Sequence, residues 1–313
     1  MTKPPSRTIP ITAPSFDETE IDMLRACLDS KWVTQGPMTE RFEQLVAKQH
    51  AVKHALACTS CTAALHLAML ALQLGPGDEV IVPAFTWVTS AHAAEYVGAK
   101  TVFADIDLAT YNITPAALEA AITNRTKAIV AVHLFGLAAP MDEIGAIARK
   151  HGLAVVEDAA CAIGTTYKGK PIGGIGDIGC FSFHPRKAIT TGEGGAVTTN
   201  RDDLASLVRS QRNHGTTGLP DVDQEAHGPW TMGLFGNLGF NLRLSDIQAA
   251  VGVAQFAKLE RLLAERRRLG LRYTQMLAGC NYLALPVGGD IDGHTFQSYV
   301  VRLSDGGRKR RNE

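Results

Sequence analysis

Long apolar runs are missing from this sequence. No stretch of the 313 residues approaches the roughly 18 uninterrupted apolar residues that a membrane-spanning helix needs, and the N-terminal MTKPPSRTIPITAPS has no apolar core of a secretion signal. An excess of charge is missing too, because 31 Lys and Arg residues balance 31 Asp and Glu residues. Without a net positive field, neither nucleic acid nor a membrane surface is an expected partner. We therefore expect a cytoplasmic protein that acts on small molecules.

Cysteines are few, too few for the disulfide framework of a small secreted domain. They are Cys27, Cys58, Cys61, Cys161, Cys180 and Cys280. No second pair repeats the two-residue spacing between Cys58 and Cys61, so a four-cysteine zinc site is not expected. The sequence predicts reduced thiols and no metal site.

What the sequence does contain is a repeated alternation of short apolar runs with helical patterns. The apolar runs are 54–58, 79–84, 100–106, 127–135, 153–158, 179–184 and 195–199. The helical patterns include 63–74, 115–122 and 140–151. Strands that are buried on both faces have this continuous apolar character, and alternation with helices is typical of a mostly parallel sheet covered on both faces. The sequence thus predicts an α/β fold.

The two ends of the chain fall outside this alternation. Ser15 and Glu18 have the spacing of a capping box, which predicts a first helix that begins near Ser15. A long helical pattern runs from Ser245 past Arg268, and HTFQSYVVRL (294–303) is typical of one strand without a partner. We predict a large domain with an N-terminal helical segment over residues 1–250. Residues 251–313 are expected to form a connecting long helix and an incomplete small C-terminal domain.

Two short motifs admit more than one interpretation. The segment 174–179 matches G-x-G-x-x-G, but a predicted strand follows it where a dinucleotide site needs a helix, so dinucleotide binding is not favoured. Cys58 and Cys61 could be a redox pair or belong to an ordinary helix start. A phosphate site fits the context better, because a strand ends at Cys58 and Thr-Ser-Cys-Thr (59–62) then opens a helix with free backbone N–H groups and hydroxyls.

Polar and aromatic residues follow other predicted strands. Asp158 ends one strand, Trp87 follows another, and Lys187 lies in the glycine-rich segment 184–195. Taken singly, a loop lysine is usually solvated and a strand-end aspartate is usually a helix cap. Combined with an anion site, they are the parts of a pyridoxal phosphate pocket. The lysine forms the Schiff base and moves a proton, the aspartate keeps the pyridine nitrogen protonated, and the aromatic ring stacks on the cofactor.

At these positions the sequence resembles the DegT/DnrJ/StrS-type sugar aminotransferases, which are pyridoxal phosphate enzymes of fold type I. The resemblance extends from about Ile9 to the end of the chain. It is carried by WVTQGP (32–37), TSCTAALHLAM (59–69), VPAFTWVTS (82–90), DID (105–107), HLFG (133–136), VVEDAACAIG (155–164), FSFHPRKAITTGEGG (181–195), RNHG (212–215) and GFNLRLSDIQAAVG (239–252). It implies a mostly parallel central sheet with helices on both faces and a small C-terminal domain.

Carried over by position, the resemblance implies that Lys187 is the Schiff-base lysine and that Asp158 is the partner of the pyridinium nitrogen. It implies that Trp87 lies against the cofactor ring. The residues that it implies around the cofactor phosphate are Ser60, Cys61, Thr62 and Ser182. In this family the position of Asn241 reaches the phosphate of the neighbouring subunit, so the resemblance also implies a homodimer with shared active sites.

Three features depart from the family pattern. Cys61 stands where the family usually has glycine, which keeps a backbone N–H donor but tightens the approach. Cys161 stands where a glutamine or histidine commonly contacts the cofactor's ring oxygen, and a thiol is a weaker hydrogen-bond partner. Family members also continue beyond this C-terminal sequence, so elements that bind the donor carboxylate and face the sugar are expected to be missing.

The resemblance implies an aminotransferase that takes an amino group from L-glutamate, the expected donor. The acceptor is the keto carbon of a nucleotide-linked sugar, and the mechanism is ping-pong with pyridoxamine phosphate as intermediate. The product would serve polysaccharide synthesis such as that of O-antigen.

Two alternatives remain open. One is a dehydratase of the same family, which has another residue in place of Lys187, and the other is a non-catalytic or truncated protein with a regulatory or scaffold role. Polar residues that flank these motifs without an assigned role are His184, Glu193, His214 and Arg243.

Overall fold

The computed structural model describes residues 10–219, 231–286 and 291–304, and a seven-stranded sheet forms its centre. In chain order the strands are β1 (His54–Cys58), β2 (Glu79–Pro83), β3 (Lys100–Ala104), β4 (Thr126–Val132), β5 (Ala154–Asp158), β6 (Thr166–Tyr167), β7 (Lys170–Pro171), β8 (Ile178–Ser182), β9 (Gly195–Thr199), β10 (Thr216–Gly218), β11 (Leu234–Phe235), β12 (Leu283–Ala284) and β13 (Arg302–Leu303). The central sheet has the order β1-β9-β8-β5-β4-β2-β3, in which only β9 runs against its neighbours. The predicted α/β class with a mostly parallel sheet is confirmed.

Helices cover both faces of this sheet. They are α1 (Glu18–Asp29), α2 (Pro37–His50), α3 (Cys61–Ala71), α4 (Thr89–Tyr96), α5 (Pro115–Ala120), α6 (Met141–His151), α7 (Asp202–Gln211), α8 (Asp246–Phe256) and α9 (Leu259–Leu277). Ile129 and Val155 pack in the core shared with α2, α5, α6 and α8, whereas Val130 and Val156 pack in the core shared with α3, α4 and α7. Because successive strand residues face opposite sides, both sets must be apolar, which explains the continuous runs. Within the described ranges no helix is both long and apolar enough to cross a membrane.

The sheet topology brings the motif-bearing loops to one edge. The parallel strands β1, β2, β4, β5 and β8 all end there, and the reversed strand β9 begins there. Gly195, the first residue of β9, lies against the start of α3, since a Cβ at this position would come within 2.3 Å of the Ser60 carbonyl carbon. Glycine is therefore needed for this close approach between β9 and α3.

A buried carboxylate joins α8 to the start of α2. Asp246 accepts hydrogen bonds from the backbone N–H groups of Gly36, Met38 and Thr39 at 2.8, 3.0 and 2.9 Å. A carboxylate in this position satisfies free N–H groups and interacts favourably with the helix dipole. The segments 32–37 and 239–252, far apart in sequence, thus meet in one hydrogen-bonded contact.

The G-x-G-x-x-G segment at residues 174–179, together with Gly173, binds a carboxylate of the protein itself. Backbone N–H groups of Gly173, Ile175 and Gly176 donate to the fully buried Glu157 at 2.7, 2.8 and 2.7 Å. The ring of His133 lies 3.0 Å from the same carboxylate; its Nδ1 accepts from a backbone N–H, so Nε2 carries the proton. Burial alone would raise the pKa of Glu157, but these hydrogen bonds hold it below its ordinary value. The segment is therefore an internal anion site followed by a strand, as its context predicted.

Two expectations about helix ends were wrong. The first helix is capped by Asp17, whose side chain accepts from the Thr19 N–H, and Glu20 completes the capping box. Ser15 lies before the cap, and its carbonyl accepts a hydrogen bond from Gln255. The helical pattern after Ser245 is two helices, α8 and α9, separated at residues 257–258. Lys258 lies at this break and its amine is 2.7 Å from the buried Glu20 carboxylate. In both cases a tertiary ion pair or hydrogen bond overrides the local pattern.

The prediction of an unpartnered strand over residues 294–303 was also wrong. Only Arg302–Leu303 is a strand, and it pairs with β12. Upstream, the N–H groups of Thr295 and Gln297 donate to the carbonyls of Gly136 and Phe135, in the 3₁₀ turn Leu134–Gly136, at 3.1 and 3.0 Å. Gly136 permits this contact, because its φ is +93° and a Cβ would lie 2.3 Å from Thr295 Oγ1. The backbone N–H groups of Thr295 and Gln297, which an isolated strand would leave unpaired, are thus hydrogen-bonded to the turn that follows β4.

We expect Glu157→Gln to lower the free energy of unfolding by about 2–4 kcal/mol, because an amide nitrogen would face backbone N–H groups and leave buried donors unsatisfied. Chemical denaturation followed by circular dichroism measures this loss. Glu119→Gln is the control, since its ion pair with Lys150 is exposed and should contribute little. An equal loss in both variants, or none at Glu157, would contradict the role given to the internal anion site.

Candidate active site

A cavity of about 490 Å³ lies at the edge of the sheet where the parallel strands end. Ligands of α/β proteins typically bind at this edge. Eight of the nine predicted cofactor residues line the cavity, and they are Ser60, Cys61, Thr62, Trp87, Asp158, Cys161, Ser182 and Lys187. They come from the carboxyl ends of β1, β2, β5 and β8 or from the segments that follow these strands, so the sheet topology accounts for their meeting.

Asp158 is held in one orientation by two hydrogen-bond donors. Its Oδ2 accepts from Ser90 Oγ at 2.6 Å, and its Oδ1 accepts from the Ala160 N–H at 3.1 Å. Thr86 Oγ1 lies 2.9 Å from Ser90 Oγ, and because the Ser90 proton goes to Asp158, Thr86 is the donor to Ser90. Asp158 is only 4% exposed and lines the cavity. A carboxylate fixed in this way is preorganised to hold a protonated nitrogen of a ligand.

Sequence reasoning did not assign roles to Ser90 and Thr86. Both lie in the motif VPAFTWVTS (82–90), which contributed only Trp87 to the predicted site. Ser90 is fully buried on α4, and its distance to Asp158 depends on how β2 and β5 are placed in the sheet. The motif pointed to the region, but not to this hydrogen-bonded chain.

The loop that carries Lys187 is fixed by its own turn and by the C-terminal part of the chain. The Lys187 N–H donates to the His184 carbonyl at 2.9 Å, and the Lys187 amine lies 3.3 Å from Cys161 Sγ. Gln297 Nε2 donates to the Arg186 carbonyl at 2.9 Å, and Arg266 Nη2 donates to the Lys187 carbonyl at 3.4 Å. Within the described ranges, no carboxylate forms an ion pair with the amine.

The start of α3 offers backbone donors to the cavity. Ser60 caps the helix, with its Oγ accepting from the Ala63 N–H at 3.1 Å and its carbonyl accepting from the Ala64 N–H at 3.0 Å. The N–H groups of Cys61 and Thr62 have no hydrogen-bond acceptor in the part of the chain that the structure covers. Free N–H groups at a helix start are suited to a phosphate, and the Ser182 side chain lines the same cavity.

The two thiols of the C-x-x-C pair are poor redox groups. Cys58 and Cys61 are both buried. Burial raises the pKa of the Cys58 thiol to about 12, and burial together with the nearby Asp158 raises the pKa of Cys61 well above its ordinary value. Since the thiolate is the reactive form, this environment argues against a redox couple.

Other residues singled out in the sequence divide into two groups. His184 and Glu193 line the cavity. Asn241 lies outside it on the surface and forms a backbone bridge with Asn213, whose side-chain oxygen accepts from Arg243 at 2.5 Å. His214, with φ of +58°, belongs to the same turn, where its N–H donates to the Phe240 carbonyl at 2.9 Å. Arg243 and His214 therefore shape this turn.

A second cavity of about 650 Å³ adjoins the first. Trp87, Cys161 and Lys187 line both cavities, so the lysine stands between them. The far wall of the second cavity comes from residues 11–13 and from α9. Sequence reasoning missed the α9 contribution, because the run LERLLAERRR has the charge pattern of an ordinary solvated helix.

The fold and the site together define a pyridoxal phosphate enzyme of fold type I. The residues present suit this cofactor: a buried oriented carboxylate, a half-buried lysine amine and free helix N–H groups border one cavity. These are the groups that its ring nitrogen, its aldehyde and its phosphate require.

The comparisons with known proteins agree. A sequence model of the DegT/DnrJ/EryC1/StrS aminotransferase family matches residues 14–313, and the chain belongs to this family. It is 45% identical over 300 residues to GDP-perosamine synthase of Caulobacter vibrioides, covering 95% of this chain and 78% of that protein. The aminotransferase from Psychrobacter cryohalolentis has a TM-score of 0.87 and 35% identity, with 94% of this chain and 78% of that chain covered.

A further solved relative bears on the cofactor. The aminotransferase Spr1654 from Streptococcus pneumoniae is known in a pyridoxal phosphate form, with a TM-score of 0.86, 29% identity, and 96% and 79% of the two chains covered. It is also known in a pyridoxamine phosphate form. The chain is thus an aminotransferase whose cofactor is pyridoxal phosphate, and the predicted family, enzyme class and cofactor are confirmed. A non-catalytic role is not favoured.

Proposed function

We propose that this aminotransferase moves an amino group from L-glutamate to the keto carbon of a sugar linked to a nucleoside diphosphate. The observation that carries the proposal is the shared cavity of Lys187 and Asp158, in a chain 45% identical to a protein named GDP-perosamine synthase. An amino sugar of this kind would enter a polysaccharide such as O-antigen and would be made in the cytoplasm. The dehydratase alternative is disfavoured, because a lysine occupies position 187.

The cofactor would be bound in two parts of the cavity. The N–H groups of Cys61 and Thr62, the Ser60 cap and the Ser182 hydroxyl would hold its phosphate at the start of α3. Trp87, whose side chain is largely exposed, would cover the ring, and Cys161 would contact the ring oxygen. The thiol of Cys161 is within 3.3 Å of the Lys187 amine, which supports a position at the reacting end of the cofactor.

Proton transfer is assigned to two side chains. When bound, pyridoxal phosphate supplies a carbonyl that takes the amino group and a ring that accepts the electron pair of the broken C–H bond. The Lys187 amine would take the proton from the donor's α carbon and deliver it to the carbon of the cofactor's aldehyde group. Asp158, oriented by Ser90, would hold a proton on the ring nitrogen and thereby keep the ring electron-poor. In the second half of the ping-pong cycle the same residues act in reverse order on the sugar.

A homodimer with shared active sites is part of the proposal. Asn241 is exposed, and the segment before it carries apolar side chains in water, with Met232, Phe235 and Leu238 exposed by 73%, 55% and 83%. An apolar patch of this kind is typical of a protein interface. A two-fold axis nearby would bring Asn241 of each subunit to the phosphate site of the other.

Borohydride treatment of the protein loaded with pyridoxal phosphate should attach the cofactor irreversibly to Lys187. Peptide mass spectrometry identifies the modified lysine. Lys187→Ala should abolish the labelling and reduce turnover by about 10³-fold or more, since nucleophile and proton carrier are both lost. Labelling of another lysine in the unaltered protein would remove Lys187 from its assigned role.

Asp158→Asn should lower kcat by about 10²- to 10³-fold while cofactor binding persists, because the amide keeps the shape of the carboxylate but cannot stabilise a protonated ring nitrogen. Steady-state kinetics with L-glutamate and a panel of keto-sugar nucleotides measures the effect. Glu119→Gln, on the surface, serves as the control. If Asp158→Asn turned over at the normal rate, the aspartate would have no part in the chemistry.

Analytical ultracentrifugation of the cofactor-loaded protein should show a dimer or a multiple of it. Leu238→Glu should shift this equilibrium toward monomer, since a charge would be buried against the apolar patch. Leu271→Glu is a matched control, because Leu271 is also exposed but lies on α9. A monomer that binds the cofactor tightly and turns over normally would rule out shared sites.

A further inference from the structure

The arginine Arg266 on α9 faces the second cavity, beside Lys187. Its side chain is half-buried, and both of its contacts are neutral carbonyls: Nη1 donates to Gln297 at 3.1 Å and Nη2 donates to Lys187 at 3.4 Å. These two hydrogen bonds fix the guanidinium next to the backbone of the reactive lysine. They do not neutralise its charge.

Arg266 has no anionic partner within the described ranges. The neighbouring carboxylate, Glu265, is taken by Arg268, with distances of 2.8 and 2.5 Å. Burial lowers the pKa of Arg266, which reflects the cost of removing this cation from water. Arg186 lines the same cavity and adds a second cation, whereas Glu265, which also lines it, is paired with Arg268. A half-buried cation that lines a cavity and has no counter-ion among the described residues is stabilised when an anion enters.

We propose that Arg266 binds an oxyanion of the substrate in the second cavity, either a carboxylate of the amino-acid donor or the diphosphate of the sugar nucleotide. The proposal rests on the function proposed above and identifies a residue that selects its substrates. A guanidinium presents parallel N–H donors that match both kinds of oxyanion. Its hydrogen bond to the Lys187 carbonyl places the bound anion beside the residue that carries the chemistry.

The next residue on α9 supplies a matched control. Arg267 also donates to two backbone carbonyls, from Nε to His294 at 3.1 Å and from Nη2 to Gly164 at 3.3 Å. It is half-buried like Arg266, but it does not line the cavity. Replacing either arginine removes the same kind of tether between α9 and the rest of the molecule. Only Arg266 is expected to matter for anion binding.

The test is equilibrium binding of two unreactive probes, glutarate and inorganic pyrophosphate, to the holoprotein by isothermal titration calorimetry. Arg266→Gln should weaken the binding of one probe by about 10- to 100-fold, the loss expected for a charged hydrogen-bonded pair. Arg266→Lys should lose less, because the charge remains. Arg267→Gln should bind as the unaltered protein does. Borohydride labelling of Lys187 in each variant checks that the pocket is intact.

The probe that is affected identifies the oxyanion. A loss for glutarate supports the donor carboxylate, and a loss for pyrophosphate supports the diphosphate. The proposal is overturned if Arg266→Gln binds both probes normally, if Arg267→Gln loses as much, or if the unaltered protein binds neither. Failure to aminate any keto-sugar nucleotide would count against the proposed function alone and would leave a binding difference at Arg266 in place.

Discussion

Two adjacent buried carboxylates at the end of β5 organise the region around the active site. Glu157 and Asp158 point to opposite faces of the sheet, because successive strand residues do. Glu157 binds the N–H groups of residues 173–176 and the ring of His133, which sets the path of the chain into β8. Asp158 faces the cavity and is oriented by Ser90. Glu157 thus stabilises the fold around the site, while Asp158 remains available to contact a ligand in the cavity.

The active site is completed from the distant end of the chain. Gln297 and Arg266 donate to consecutive carbonyls of the Lys187 loop, and Thr295 binds the turn after β4. These contacts make the C-terminal segment part of the wall around the lysine. They also place the cationic side chain of Arg266 in the wall of the second cavity. The segments that position the lysine are therefore the same as those proposed to bind the substrate.

Much of the fold was predictable from the sequence. All seven strands of the central sheet were predicted to within a few residues, because burial on both faces requires continuous apolar runs. The resemblance to the aminotransferase family pointed to eight residues that the structure brings to one cavity. Three predictions about the ends of elements were wrong. Asp17 caps the first helix instead of Ser15, the predicted long helix is interrupted at Lys258, and residues 294–297 bind a turn instead of forming a strand. In each case a partner far away in sequence competes with the local signal.

The sequence by itself determined the α/β class, and it pointed to the start of α3, to Lys187 and to Asp158 as the parts of the proposed cofactor site. These features depend on local order: apolar periodicity, residue types at strand ends, and motif spacing. Tertiary structure alone decided that Ser90 orients Asp158 and that residues 173–176 bind Glu157. It also decided that Arg266 lines the second cavity without a counter-ion among the described residues. The physical reason is that hydrogen-bond partners and desolvation depend on which strands and helices become neighbours, and no local pattern encodes a distance between residues 187 and 266.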